Sequence, residues 1–157
     1  MADEKMPGSD GQKSFGKNVR EKITKVLNNS HQIVNDTSNC IFEIFSSELK
    51  NSKNPAVDLV YLIPILVEYS LYGGDDTGRD LGEVSRGILE GVWKTSRELK
   101  LNGNDLLVLT ARSMLLESDW RDIDLRIAIE SFIKKSIPDG KVLVRKIFSS
   151  DQFLKAA

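Results

Sequence analysis

Three aspartates in the middle of the chain have the residue type and spacing of a divalent-cation site. Asp75, Asp76 and Asp80 lie within "GGDDTGRD", and carboxylate oxygens are the ligands that Mg²⁺ and Ca²⁺ prefer. A second acidic run, "DWRDID" at 119–124, offers three more carboxylates. Acids in the first turn of a helix also stabilise it against the positive end of the helix dipole. Both hypotheses stay open, a metal site at Asp75, Asp76 and Asp80 or helix capping, and capping is the simpler.

Four glycines in the same region recur at intervals of four residues. Gly78 and Gly82 form one pair, and Gly87 and Gly91 form the other. A glycine inside a helix costs about 1 kcal/mol relative to alanine. Residues four apart share a helix face, and a face without side chains lets a neighbouring helix come close. We interpret the glycines as a close-docking face; the alternative is a mobile helix that tolerates them.

The sequence offers little for nucleophilic catalysis or for a structural metal. Its one cysteine, Cys40, excludes an internal disulfide, and with the one histidine, His31, it cannot complete a zinc site of cysteines and histidines. No nucleophile motif accompanies either residue, so we interpret Cys40 as a small buried hydrophobe. "GGDDTG" has neither the spacing nor the lysine of a phosphate-binding loop. These features favour a protein that is not an enzyme and has no cofactor.

The composition predicts one globular domain. The chain has 157 residues, of which 40% are hydrophobic and 29% charged, and its net charge is −1. A nearly neutral chain has no net field that draws it to nucleic acid or anionic lipid, although both ends of the chain are basic. The first residues lack the apolar core of a secretory signal, so we expect a cytoplasmic protein. Residues 1–13 are predicted as a disordered tail, and 14–157 as one helical domain.

Helical periodicity dominates the segment after the tail. Ile23, Leu27, Val34 and Ile41 belong to a set of residues that recur in alternating steps of four and three, which places them on one stripe. Small polar residues interrupt this stripe, so the helix either runs about ten turns or breaks near "NNSHQ" or "NDTSN". A long narrow seam suits an antiparallel partner helix, in the same chain or in a second copy.

The next segment, "NPAVDLVYLIPILVEYSLY", is apolar nearly all round and is predicted as a central buried helix kinked at Pro64. Asp58, Glu68 and Pro64 argue against a membrane span. Further helical patterns follow, and "KVLVRKIF" at 141–148 fits either a strand or a helix and is assigned as a helix. The sequence therefore predicts an all-α, single-domain helical bundle of about five to six helices with a long first helix.

The function predicted from these patterns is binding to another protein or to a second copy of the chain. One alternative is a small-ligand or divalent-cation binding domain, with or without enzymatic activity, at the acidic helix starts. Another is a peripheral membrane or nucleic-acid binder using the basic ends, with nucleic acid the less expected partner. The residues predicted to bind the partner are those of the seam and the glycine face: Ile23, Leu27, Val34, Ile41, Gly78, Gly82, Gly87 and Gly91.

Overall fold

The computed structural model describes residues 10–117, 123–136 and 140–148, and these residues form seven α-helices. No strand occurs within these ranges, so the all-α prediction is confirmed. Residues 141–148 are helical, and the predicted tail is described only from Asp10 onward, where the first helix begins. The helices are α1 (Asp10–Asn28), α2 (Ile33–Glu48), α3 (Pro55–Thr77), α4 (Leu81–Glu98), α5 (Gly103–Glu117), α6 (Ile123–Ser136) and α7 (Gly140–Phe148).

The prediction of one long first helix is wrong, because the segment forms two helices, and this division accounts for the seventh helix. The chain breaks within "NNSHQ", one of the two places where the sequence allows it. Ser30 is buried, and its hydroxyl donates to the Asp36 carboxylate at 2.7 Å. The same hydroxyl accepts from the Gln32 amide at 3.1 Å. Such side-chain bonds to nearby groups compete with the helical backbone and favour a turn.

The carbonyl groups at the end of α1 are capped by Arg79, which lies in the turn between α3 and α4. Its Nε donates to the Leu27 carbonyl at 2.9 Å, and its Nη2 donates to the Ser30 carbonyl at 3.1 Å. The turn is closed by Gly78, whose φ of 68° is left-handed, as is common for glycine after a helix. The break between α1 and α2 is therefore held by the local bonds of Ser30 and also by a residue that is remote in the sequence.

The helices pack as two side-by-side pairs joined by a fifth helix. α1 packs on α3, α2 packs on α4, and α5 contacts both α3 and α4; α6 packs on α4 and is followed by α7. The buried side chains between them are mostly aliphatic, with several serines and threonines among them, and they form one continuous core through the described residues. Its largest members include Phe45, Ile23, Leu27, Ile41, Leu66, Ile88, Leu107 and Met114.

α3 packs against α1, α4 and α5 and continues through Pro64 without interruption. Its side-chain cap is Asn54, which accepts from the Val57 amide, and Pro55 is its first residue, as the sequence predicts. Among the described helices it is also the one long and apolar enough to cross a membrane. Of its most apolar 18 residues, 44% are buried within the protein. Core helices of soluble proteins can be as long and as apolar as this one.

The position of Cys40 on α2 gives a first testable expectation. Its thiol is buried, and this burial raises its pKa to about 11, with the charge of Glu43 adding to the effect. At pH 8 only about one thiol in a thousand is then the reactive thiolate. We expect an aromatic disulfide reagent at pH 8 to label the native protein at least about 100-fold more slowly than the urea-unfolded chain. Absorbance of the released thiolate measures both rates.

The control for this measurement is Ser46→Cys, which adds a thiol on the exposed side of the same helix. In that variant one thiol per chain should react at the rate of the unfolded protein, and Cys40 should still react slowly. Rapid labelling of Cys40 in the native wild-type protein would contradict the packing of α2 described above.

Candidate interaction surface

The residues of the predicted seam are divided between two helices and turned into the core. Ile23 and Leu27 lie on α1, and Ile41 lies on α2; all three are fully buried, while Val34 is half-buried. Ile23 contacts α3 so closely that a β-carbon added to Gly73 would lie 2.8 Å from its methyl group. In this structure the seam is therefore occupied by the other helices of the same chain.

Gly87 and Gly91 form the close approach that their spacing predicts, and the helix that approaches them is α2 of the same chain. A β-carbon on Gly87 would lie 2.5 Å from the Thr37 β-carbon, and one on Gly91 would lie 2.6 Å from the Ile41 β-carbon. Backbone carbonyl oxygens of α2 lie 2.8 and 2.9 Å from the same two positions. Because real β-carbons do not come this near, only glycine permits α2 and α4 to pack at this distance.

The other two predicted glycines lie where α3 ends and α4 begins. Gly78 ends α3, and no atom lies within 4 Å of the position that its β-carbon would take. The Gly82 amide donates to the Asp80 carboxylate at 2.8 Å, so Asp80 caps α4. Gly78 and Gly82 therefore shape a turn. Of the four predicted glycines, Gly87 and Gly91 are the two that face a neighbouring helix.

The aspartates predicted as metal ligands lie apart in role, since two of them have separate partners. The Asp76 carboxylate accepts two bonds from the Arg20 guanidinium, at 2.7 and 2.9 Å. These bonds, together with the charge of Arg20, hold the pKa of Asp76 below its usual value. Asp80 caps α4, and Asp75 is exposed. Within the described residues no three His, Cys, Asp or Glu side chains converge to hold a metal ion, and the side chains of 119–124 lie outside these residues.

A surface that the sequence did not single out lies on the outward side of α3. Val57, Val60 and Tyr61 are exposed by 48%, 51% and 51%, although the opposite side of the same helix lies in the core. Their spacing, continued by the half-buried Pro64, places them on one stripe. We call these four residues the α3 stripe. Because α3 is apolar nearly all round, its sequence shows no polar face that would mark the side turned outward.

The groups at the two ends of the α3 stripe differ in charge. Lys50 and Lys53 are exposed and precede α3. Past the stripe, the Glu68 carboxylate accepts from the Tyr72 hydroxyl at 3.0 Å. The end of α5 adds Glu117, whose pKa is raised by burial and, to a smaller extent, by the charge of Glu68. The exposed charges are therefore basic at the beginning of the stripe, where the half-buried Asp58 carboxylate accepts from the Ser52 hydroxyl, and acidic at its end.

Open cavities elsewhere on the surface have a different character from the α3 stripe. A groove of about 640 Å³ between α1 and α3 is lined by Lys17, Arg20 and Lys25, with Glu21 and Asp76 beside them. Because Arg20 is paired with Asp76 and Glu21 lies one helical turn from each lysine, the charges of this groove are nearly balanced.

The chain matches no protein-family model, no curated protein and no solved structure.

Proposed function

We propose that the protein is a non-enzymatic helical interaction module that binds a partner helix on the α3 stripe. The observation that carries this proposal is the exposure of Val57, Val60 and Tyr61 on one side of a core helix. Burying the exposed half of one such side chain contributes roughly 1 kcal/mol to association. A partner helix with apolar residues three and four apart would match their spacing. The seam and the Gly87–Gly91 face then serve to build the module rather than to bind the partner.

The α3 stripe supports this function better than the groove between α1 and α3 supports the binding of acidic lipid or nucleic acid. In the groove each exposed lysine has a carboxylate within one helical turn, which reduces the attraction for an anionic partner. The stripe has no charged residue among its four members. An apolar patch bordered by charges is typical of protein interaction sites.

A photo-crosslinking residue at position 61 tests the proposal directly. We expect Tyr61→benzoylphenylalanine, irradiated in intact cells, to form a covalent adduct with a polypeptide that mass spectrometry can identify. The same residue at position 46, exposed on α2 and away from α3, is the matched control and should give no such adduct. Addition of Val60→Asp should reduce the yield at position 61 at least about tenfold, because a charged group would be buried at the contact.

Two results would contradict the proposed function. Adducts of equal yield at positions 61 and 46 would show that the α3 stripe has no preferred partner. An adduct with lipid alone at position 61 would show that the exposed side of α3 meets a membrane, in keeping with its length and composition.

A further inference from the structure

We infer that the helix bound on the α3 stripe is α3 of a second copy of this chain, running antiparallel about a two-fold axis between Val60 and Tyr61. This inference rests on the proposed function and names its partner. A two-fold interface uses the same patch on both copies, so the patch has to be complementary to itself. The α3 stripe meets this requirement in its shape and in its charge.

The apolar residues of the stripe are arranged symmetrically around the inferred axis. In an antiparallel pair centred between positions 60 and 61, Val60 of one copy faces Tyr61 of the other, and Val57 faces Pro64. Each contact therefore joins two apolar side chains, one of them bulky or rigid. The exposed fractions of Val60 and Tyr61 are both 51%, so the centre of the patch is also its most accessible part.

The charges at the ends of the stripe are complementary in the same register. Lys53 lies in the segment just before α3, two residues ahead of Pro55 and seven before Val60, and Glu68 lies on the helix seven residues after Tyr61. In the antiparallel pair, Lys53 of each copy approaches Glu68 of the other, which gives two ion pairs per dimer. A parallel pair would instead bring Lys53 to Lys53 and Glu68 to Glu68, and like charges this close repel. The charges therefore select the antiparallel arrangement.

The acidic end of the stripe gains further from a lysine of the second copy. Glu68 and Glu117 are near enough for the charge of one to raise the pKa of the other. A cation between two carboxylates lowers their mutual repulsion. Lys53 of the second copy would supply this charge, and the exposed Lys50, three residues before it, is the next nearest lysine in the sequence.

The patch is small, so the dimer is expected to be weak. Four residues on one helix face bury much less than the roughly 800 Å² per partner of a standard interface, and interfaces of that kind are transient. We expect a dissociation constant in the micromolar range or above, and strong dependence on salt because of the exposed ion pairs. Analytical ultracentrifugation over a wide concentration range at low salt measures it.

Charge reversal separates this arrangement from non-specific association. We expect Lys53→Glu and Glu68→Lys each to weaken the dimer about tenfold, because each variant replaces two ion pairs by two repulsive pairs. The double variant, K53E with E68K, should recover a dissociation constant within about twofold of the wild type. Glu98→Lys, a matched reversal at an exposed position on α4, should leave the constant unchanged. Circular dichroism verifies that each variant is folded.

The inference is overturned if the wild-type protein sediments as a monomer at millimolar concentration. It is also overturned if the two single variants bind as well as the wild type, or if the double variant fails to recover. Its failure is distinct from that of the proposed function. A Tyr61 adduct with a different polypeptide, combined with monomeric sedimentation, would support the interaction module and reject the second copy as its partner. An adduct between two copies that disappears in the K53E variant and returns in the double variant would support both.

Discussion

Replacing Gly91 with valine should destabilise the protein by about 3 kcal/mol or more. The β-carbon of any larger residue would lie 2.6 Å from the Ile41 β-carbon and 2.9 Å from a backbone carbonyl oxygen of α2. Neither atom belongs to a flexible side-chain end, so α2 as a whole has to move away from α4. Overpacking of this kind typically costs about 1–3 kcal/mol, and the branched side chain of valine lies at the upper end of that range. Urea unfolding followed by circular dichroism measures the loss.

A second glycine variant and a surface control make this measurement specific. Gly91→Ala should cost less, because about 1 kcal/mol of improved helix propensity offsets part of the strain. Ser47→Val introduces the same valine on the exposed side of α2 and should change the stability by less than about 0.5 kcal/mol. If Gly91→Val were as stable as the wild type, the close packing of α2 on α4 would be refuted.

Replacing Arg79 with methionine should cost about 2–3 kcal/mol and should loosen the break between α1 and α2 locally. The guanidinium donates to the Leu27 and Ser30 carbonyls, and methionine keeps the length of the side chain without any donor. Hydrogen bonds from a charged donor contribute about 1.5–3 kcal/mol, and the carbonyls left behind are partly buried. Urea unfolding measures the stability, and amide exchange of residues 27–32 should accelerate more than that of the core of α4.

The lysine variant distinguishes the role of geometry from that of charge. Arg79→Lys keeps the positive charge but cannot bond both carbonyls through one planar fork, so we expect it to recover less than half of the loss. Arg97→Met, at an exposed position near the end of α4, is the control and should stay within about 0.5 kcal/mol of the wild type. Equal stabilities of the Arg79 and Arg97 variants would show that Arg79 does not cap α1.

The local elements of this fold follow from short-range sequence signals, whereas the choice between alternatives does not. Asn54 and Pro55 mark the beginning of α3 correctly, because a capping side chain and a preset φ act within one turn. The sequence also allows a break at "NNSHQ". Both places carry serines that can bond locally, and part of what holds the observed break comes from Arg79, which is 52 residues beyond Leu27.

The candidate surface was harder to predict than the fold for a related reason. The spacing of Gly87 and Gly91 predicts that a helix comes close, but a glycine face fits a helix of the same chain and a helix of another chain equally well. For the α3 stripe, the difficulty is that the sequence does not distinguish its exposed apolar residues from the buried ones. Val57 and Val60 are as apolar as the buried Ile63 and Leu66 on the same helix, so the packing of α1, α4 and α5 determines which of them stay exposed.

The capping of α1 by Arg79 has a consequence for the order in which the protein can acquire its shape during synthesis. A chain emerging from the ribosome exposes 10–48 before Arg79 and before Gly87 and Gly91, on which α2 rests. Until then the turn at Ser30 has its local bonds to Asp36 and Gln32 but lacks the Arg79 cap and the contact of α2 with α4. The bend can therefore gain these remaining contacts only after the chain has been synthesised through most of α4.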